Sequence, residues 1–333
     1  MSRILELREK AKKEKRKIIL PEGEDARVLK AASVLAAENM EEVYTLGREG
    51  SVAALAKEHS ISLDRVNIID PVTFEKREEI INTYYELRKH KGMTPEEAEK
   101  IVMGKLVFYA AIMTRLEMAD GFVAGACHTT SDVARAAIHC LKLDREIGTV
   151  SSSFIMELEN CPYGEQGLFA FADCGIIPYP SAKQLVGIAI STSDIFRKLF
   201  NVEPRVALLS YSTKGSAKGD SIDTIRTALA KIKEKRPNLM IDGELQVDAA
   251  LVPEVAKIKC PDSNVAGKAN VLIFPNLDAG NISYKLTQRL GRSRAVGPLV
   301  QGMNKPCSDL SRGCSWEDVV DTTVVTAIRA QGL

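Results

Sequence analysis

Short apolar runs closed by turn residues alternate with longer stretches of helical spacing along almost the whole chain. "KIILPEGED" is an apolar run that ends in Pro and Gly, and "DARVLKAASVLAAENM" follows with Val28, Ala31, Ala32 and Leu35 at helical spacing. "EEVYTLG", "VNIID" and "DGFVAGAC" repeat the strand-like pattern. So do "GTVSSSFIMEL", "GLFAFADCG" and "RVALLSYST" further on. Short buried strands that alternate with amphipathic helices specify an α/β fold. Residues 73–118 read as two helices, the second starting at Thr94-Pro95 and running unbroken to residue 118. "VLIFPNLDAGN" reads as a strand entering a Gly-Asn loop. The last 15 or so residues read as a helix with Val320, Val324, Ala327 and Ile328 on one face. At 333 residues the chain is long enough for two domains or one large one. The pattern alone does not place a boundary.

Charge and cysteine usage narrow the function classes. Lys+Arg total 45 against 44 Asp+Glu, without the basic excess of a general nucleic-acid binder. Any anion selectivity must come from local clusters. The seven cysteines include no Cys-x-x-Cys pair, so neither a zinc site nor a disulfide framework is expected. Reduced thiols suit a reducing compartment. The N-terminal stretch is charged and lacks a hydrophobic signal core. No apolar run approaches the ~20 residues of a membrane span. These features imply a cytoplasmic protein with no metal, no membrane and no nucleic-acid partner.

In open α/β sheets ligands bind beyond the carboxyl ends of the strands. Four such places are rich in small polar residues: 125–135, 210–219, 275–281 and 308–315. Each is expected to present polar side chains and free backbone N–H groups, which bind phosphate. "TKGSAKG" lacks the spacing of a nucleotide-triphosphate loop, and is either a strand-to-helix turn or part of another phosphate site. His128 reads as a hydrogen-bonded structural histidine. Arg135 can pair with Asp132 or turn its fork to a phosphate. Arg88 and Arg289 have an ordinary reading near helix C-termini, through the helix dipole. In "DLSRGCSWED", Ser315-x-x-Asp318 has the form of a capping box, with Ser311 and Arg312 just outside the helix. A thiol at that helix start, Cys314, is open to a lowered pKa.

"NKPCSDLSRGCSWEDVV" closely resembles the C-terminal signature of the phosphate acetyltransferases. "GACHTTSDVAR", "SYSTKGSAKG", "IDGELQVDAAL" and "VAGKANVLIFPNLDAGNISYKLTQRL" carry further motifs of that family in its order. The resemblance implies two α/β domains like those of isocitrate and isopropylmalate dehydrogenases, with a cleft between them. It implies a discontinuous first domain, 1–145 plus 303–333, a second domain at 146–302, and a homodimer. The implied reaction is reversible acetyl transfer between acetyl phosphate and coenzyme A, by direct thiolate attack in a ternary complex. Coenzyme A is then a substrate, no cofactor is tightly bound, and acetate kinase is the metabolic partner. The carry-over makes Asp318 the base for the thiol, Ser311 the donor to the developing oxyanion and Arg312 the phosphoryl contact. Arg88, Arg135 and Arg289 match arginines linked to substrate binding, with Thr130 and Ser131 as supporting donors. Three other readings compete. One is a butyryl-preferring relative. Another is a non-catalytic regulatory domain. The third is an NAD-dependent dehydrogenase of related fold, for which no Gly-x-Gly-x-x-Gly is present.

Overall fold

The computed structural model describes residues 2–332. The chain divides into two compact units. One holds Arg3–Lys142 and resumes at Met303; the other is Leu143–Gly302.

The first unit opens with α1 (Arg3–Ala11), β1 (Lys17–Leu20), α2 (Ala26–Ala37), β2 (Glu42–Leu46), α3 (Glu49–Glu58) and β3 (Asn67–Ile69). It continues with α4 (Arg77–Arg88), α5 (Pro95–Gly104), α6 (Leu106–Arg115), β4 (Gly121–Val123) and α7 (Thr130–Cys140). The second unit contains β5 (Ser151–Glu157), β6 (Leu168–Ala172), α8 (Ala182–Phe200), β7 (Arg205–Leu209) and α9 (Asp220–Lys235). It closes with β8 (Met240–Leu245), α10 (Val247–Leu251), α11 (Pro253–Lys259), β9 (Val271–Ile273), α12 (Leu277–Leu290) and β10 (Arg294–Gln301). The chain then returns to the first unit as β11 (Cys307–Ser308) and α13 (Trp316–Ala330).

In the first unit the strands run β3-β2-β1-β4-β11, every neighbouring pair parallel. The order reverses direction between β1 and β4, the switch point at which such sheets leave room for a ligand. Two helix groups cover the sheet. α13 packs on α1, α2 and β4, while α6 packs on α5, α7 and β4. β11 has only two residues. It is held by register with β4 and by Arg329, a buried cation whose Nη1 donates to the Cys307 carbonyl at 2.9 Å.

The second unit runs β10-β5-β6-β9-β7-β8, antiparallel at β10/β5 and β5/β6 and parallel beyond. Its core gathers Phe154, Met156, Phe169, Phe171, Leu272 and Phe274, and Tyr284 stacks on Phe154 at 4.0 Å. Among the described residues no helix is long and apolar enough to cross a membrane.

Three local expectations change. The stretch after Thr94 is two helices, because Lys105 is extended (φ −139°, ψ 92°) and its amine turns to Asp132 at 2.6 Å. The Gly-Asn stretch after β9 is helical. Asn276 caps it by accepting from the Ala279 N–H at 2.9 Å, and Gly280 lies so close to the Asp173 carbonyl that a Cβ would meet it. The last helix is buried on all sides from Val319 to Ala330, since α1 and α2 cover the side turned away from the sheet.

Candidate active site

Three loops leave the carboxyl ends of adjacent parallel strands in the first unit: 21–25 after β1, 124–129 after β4 and 309–315 after β11. Each leads into a helix with a side-chain cap. Asp25 caps α2, Thr129 caps α7 and Ser315 caps α13.

Two side chains from the first loop region tie the three together. The Glu22 carboxylate accepts from the backbone N–H groups of Gly125, Ala126, Cys127 and His128 at 2.8–3.1 Å, and meets His128 Nδ1 at 2.7 Å. Burial raises its pKa, but the hydrogen bonds from His128 and from the Cys127 and His128 N–H groups outweigh it, so Glu22 sits below the ordinary carboxylate range. Arg27, in the first turn of α2, is held by Asp25 at 2.8 and 3.1 Å. Its remaining donors go to the carbonyls of Ala126 (3.0 Å), Arg312 (2.8 Å) and Cys314 (3.0 Å). One guanidinium therefore spans all three loops.

The free N–H groups expected at 125–128 are thus already taken by an internal carboxylate. At 210–219 several N–H groups are likewise taken internally, by serine hydroxyls, backbone carbonyls and one carboxylate. There Glu244 accepts from the Gly215 N–H (2.8 Å) and the Ser212 hydroxyl (2.9 Å), and pairs with Arg226. Burial raises Glu244, but those donors bring it down to about 2. "TKGSAKG" is a turn closed on a buried glutamate.

The 309–315 loop buries Asp309, Leu310 and Cys314 and exposes the residues between them. Ser311 and Arg312 are exposed, and Arg312 makes no ion pair among the described residues. Ser311 Oγ accepts from the Gly313 N–H at 3.3 Å. The capping box is complete: the Asp318 N–H donates to Ser315 Oγ at 3.2 Å, and Asp318 Oδ2 accepts the Ser315 N–H at 2.8 Å. Asp318 is half-buried. Cys314 is buried, and burial pushes its thiol to about 11 despite the nearby Arg27 guanidinium. The helix start does not activate it.

α7 connects this loop to the arginines. Thr130 and Ser131 are exposed in its first turn, and the Thr130 hydroxyl lies near the buried Asp309 carboxyl. Further along, His139 Nδ1 lies 3.1 Å from the Tyr84 hydroxyl. Burial lowers His139 to about 4, and Arg88 and Arg135 both add to the effect. Two guanidinium groups therefore help to keep this imidazole neutral. Neither is in an ion pair among the described residues, and the Nε of Arg88 is buried without a partner. Asp132, the local partner expected for Arg135, is taken by Lys105. Arg289 belongs to the second unit, exposed in the last turn of α12. No group of three or more His, Cys, Asp or Glu that could hold a metal ion occurs among the described residues.

The pattern of the phosphate acetyl/butaryl transferase family matches residues 3–327 of this chain. The chain belongs to that family. It is a transferase enzyme. A phosphate acetyltransferase of Acetivibrio thermocellus is 49% identical over 331 residues, covering 99% of each chain. The crystal structure of a phosphotransacetylase from Streptococcus pyogenes superposes with a TM-score of 0.91 at 40% identity, over 99% of each chain. A 4-hydroxythreonine-4-phosphate dehydrogenase from Klebsiella pneumoniae shares the fold at TM-score 0.50 and 11% identity, covering 95% of this chain and 98% of its own. The two-domain, dehydrogenase-like α/β fold follows from these likenesses.

For this phosphate acetyl/butaryl transferase, sequence reasoning missed Glu22, Arg27 and Asp309 as parts of the site. Glu22 and Asp25 lie in "LPEGED", directly after a strand. That position was the available signal, but the loops that Glu22 and Arg27 reach are about a hundred residues away or more.

Proposed function

We propose that this enzyme transfers an acetyl group reversibly between acetyl phosphate and coenzyme A. The observation that carries this reading is that Arg88 on α4 and Arg135 on α7 have no carboxylate partner among the described residues and both act on the neutral His139 of α7, the helix whose first turn offers Thr130 and Ser131. Cations without carboxylate partners suit a small dianion, and guanidinium forks suit phosphate. The printed names of the relatives, phosphate acetyltransferase, support acetyl as the group carried.

In the proposed mechanism Arg312 contacts the phosphoryl group and stabilises charge as phosphate departs. Arg88, Arg135 and Arg289 bind substrate phosphates, with Thr130 and Ser131 as added donors. Asp318 takes the proton of the coenzyme A thiol. A carboxylate is a far weaker base than a thiolate, so this transfer is concerted with attack on the carbonyl carbon. Ser311 donates to the oxygen that becomes negative in the tetrahedral intermediate. The thiol sulfur forms the new C–S bond, the C–O bond to phosphate breaks, and no acyl-enzyme intervenes. Coenzyme A is a substrate, with no tightly bound cofactor. The two compact units support a division at 1–145 with 303–333, and 146–302. A cytoplasmic homodimer coupled to acetate kinase completes the reading.

The test is coenzyme-A-dependent loss of acyl phosphate, measured with acetyl, propionyl and butyryl phosphate. The expected kcat/KM order is acetyl first, with at least a tenfold fall to butyryl. A butyryl preference overturns the acetyl assignment, and no thiol-dependent loss of any of the three overturns the transfer reading.

A further inference from the structure

One group at the junction of two site loops has no part in the transfer chemistry above. Asp309 is 1% exposed, and neither of its carboxyl oxygens has a hydrogen-bond partner of ordinary geometry. Buried polar groups are nearly always paired, so an exception at this position needs a reason. Asp309 follows β11 directly and precedes Ser311 by two residues. Its Oδ1 presses on Gly125 of the neighbouring loop. A Cβ on that glycine would lie 2.3 Å from Oδ1 and 2.5 Å from the Leu310 nitrogen, and Gly125 has a φ of +120°.

The groups that face Asp309 come from every element packed there. Glu22 and His128 face it from the first two loops, and Thr130 from the start of α7. The Leu310 N–H lies on its own loop. Behind it are Cys307 and, on α13, Arg329, whose guanidinium is bound to the Cys307 carbonyl and Ser308. Among the described residues no cation pairs with it, and the nearest carboxylate, Glu22, is held ionised by its own donors.

We propose that Asp309 is a positioning residue for acetyl transfer. As a neutral acid it lets the Ser311–Arg312 loop lie against Gly125; as a carboxylate it draws in the Leu310 N–H and the Thr130 hydroxyl and turns Ser311 away. The proposal rests on the oxyanion role given to Ser311. Losing the proton to solvent would place a second negative charge beside Glu22 in a low-dielectric site, where His128 is engaged by Glu22 and Arg329 by the Cys307 carbonyl and Ser308. Burial pushes Asp309 to about 7; Thr130 and the Leu310 N–H offset part of this, and Glu22 adds to it. The change of state therefore falls near neutral pH.

Asp309→Asn keeps the shape and stays neutral. The ratio of its kcat to that of wild type is expected to rise at least threefold between pH 6 and pH 8.5, with the KM ratio for acetyl phosphate constant. Taking the ratio cancels the ionisation of the coenzyme A thiol. A ratio independent of pH, with Ser311→Ala impaired, overturns the positioning role alone. A fully active Ser311→Ala overturns the Ser311 assignment and the positioning role together. A second measurement needs neither activity nor a substitution at 309. Asp194 is the other aspartate that burial leaves above its ordinary range, so it is replaced by Asn. The aspartate carboxyl carbons of that protein, labelled with 13C, are then titrated by NMR. One resonance with a midpoint near pH 7 is expected, and no aspartate titrating above pH 6 overturns the proposal.

Discussion

Glu22 and Asp309 are buried neighbours whose carboxyl groups are shifted in opposite directions. Glu22 is 6% exposed yet ionised, because several charge-assisted hydrogen bonds of about 1.5–3 kcal/mol each exceed a desolvation cost of several kcal/mol. Asp309 has only the Thr130 hydroxyl and the Leu310 N–H nearby, neither in ordinary hydrogen-bond geometry, so desolvation decides. Asp318 is different again. It is half-buried and anchored by the Ser315 N–H, which fixes the position of the carboxylate through the helix cap. Asp318→Asn keeps an amide oxygen that can accept that N–H, so the helix start survives. Turnover is expected to fall about 10²–10⁴-fold with KM little changed, while thermal stability stays within about 0.5 kcal/mol of wild type. Steady-state kinetics and a melting curve check this together, and near-normal turnover removes the base assignment. At this scale the capping box was readable, because its four residues are contiguous. The charge state of Cys314 was not, because it depends on burial by distant segments.

Loops and helices add a second level of organisation, and Arg27 is the clearest case. It sits at the start of α2, where the sequence shows an ordinary capped amphipathic helix. Its fork reaches carbonyls on two other loops, 99 to 287 positions along the chain. Lysine has one ammonium on a flexible stem and cannot reproduce that bridging geometry. Arg27→Lys is expected to lower kcat about 10–100-fold by loosening the Ser311–Arg312 loop, and to cost about 1–3 kcal/mol in stability. Urea denaturation alongside kinetics separates the two effects. Unchanged kcat in a destabilised variant removes the link between the clamp and the site. The short β11 and the early break at Lys105 were missed for a related reason. Two residues are too few for periodicity, and Lys105 turns out of its helix for a partner on α7.

At the scale of the whole molecule, stability depends on acids placed far from the site. Glu41 is buried beside β2. Its Oε2 accepts the Arg16 N–H at 2.7 Å, and its Oε1 has no partner. Burial pushes it up to about 8, against an opposing contribution from that N–H and from Lys15 and Arg16. The raised value means that the folded state binds this proton more tightly than the unfolded chain. The penalty is absent below the unfolded value of about 4.5, grows as pH rises and is complete above about 8. Glu41→Gln is expected to be more stable than wild type by about 2–4 kcal/mol at pH 8, with the gap closing by pH 4.5. Chemical denaturation at the two pH values checks it, and a gap that does not change with pH rules out Glu41 as the cause.

By itself the sequence determined the α/β class, most helix starts and the family signature in "NKPCSDLSRGCSWEDVV". Each is written in residues a few positions apart, where local spacing, caps and turn chemistry act. Only the tertiary structure decided that the N–H groups of the 125–128 loop are filled by Glu22. It also decided that Arg27 joins three loops, that Arg88 and Arg135 both act on one histidine, and that Asp309 is buried without a hydrogen bond of ordinary geometry. Those features follow from strand order, which brings the ends of β1, β4 and β11 side by side across most of the chain's length. Burial and hydrogen-bond supply at each carboxylate exist only once those strands are paired.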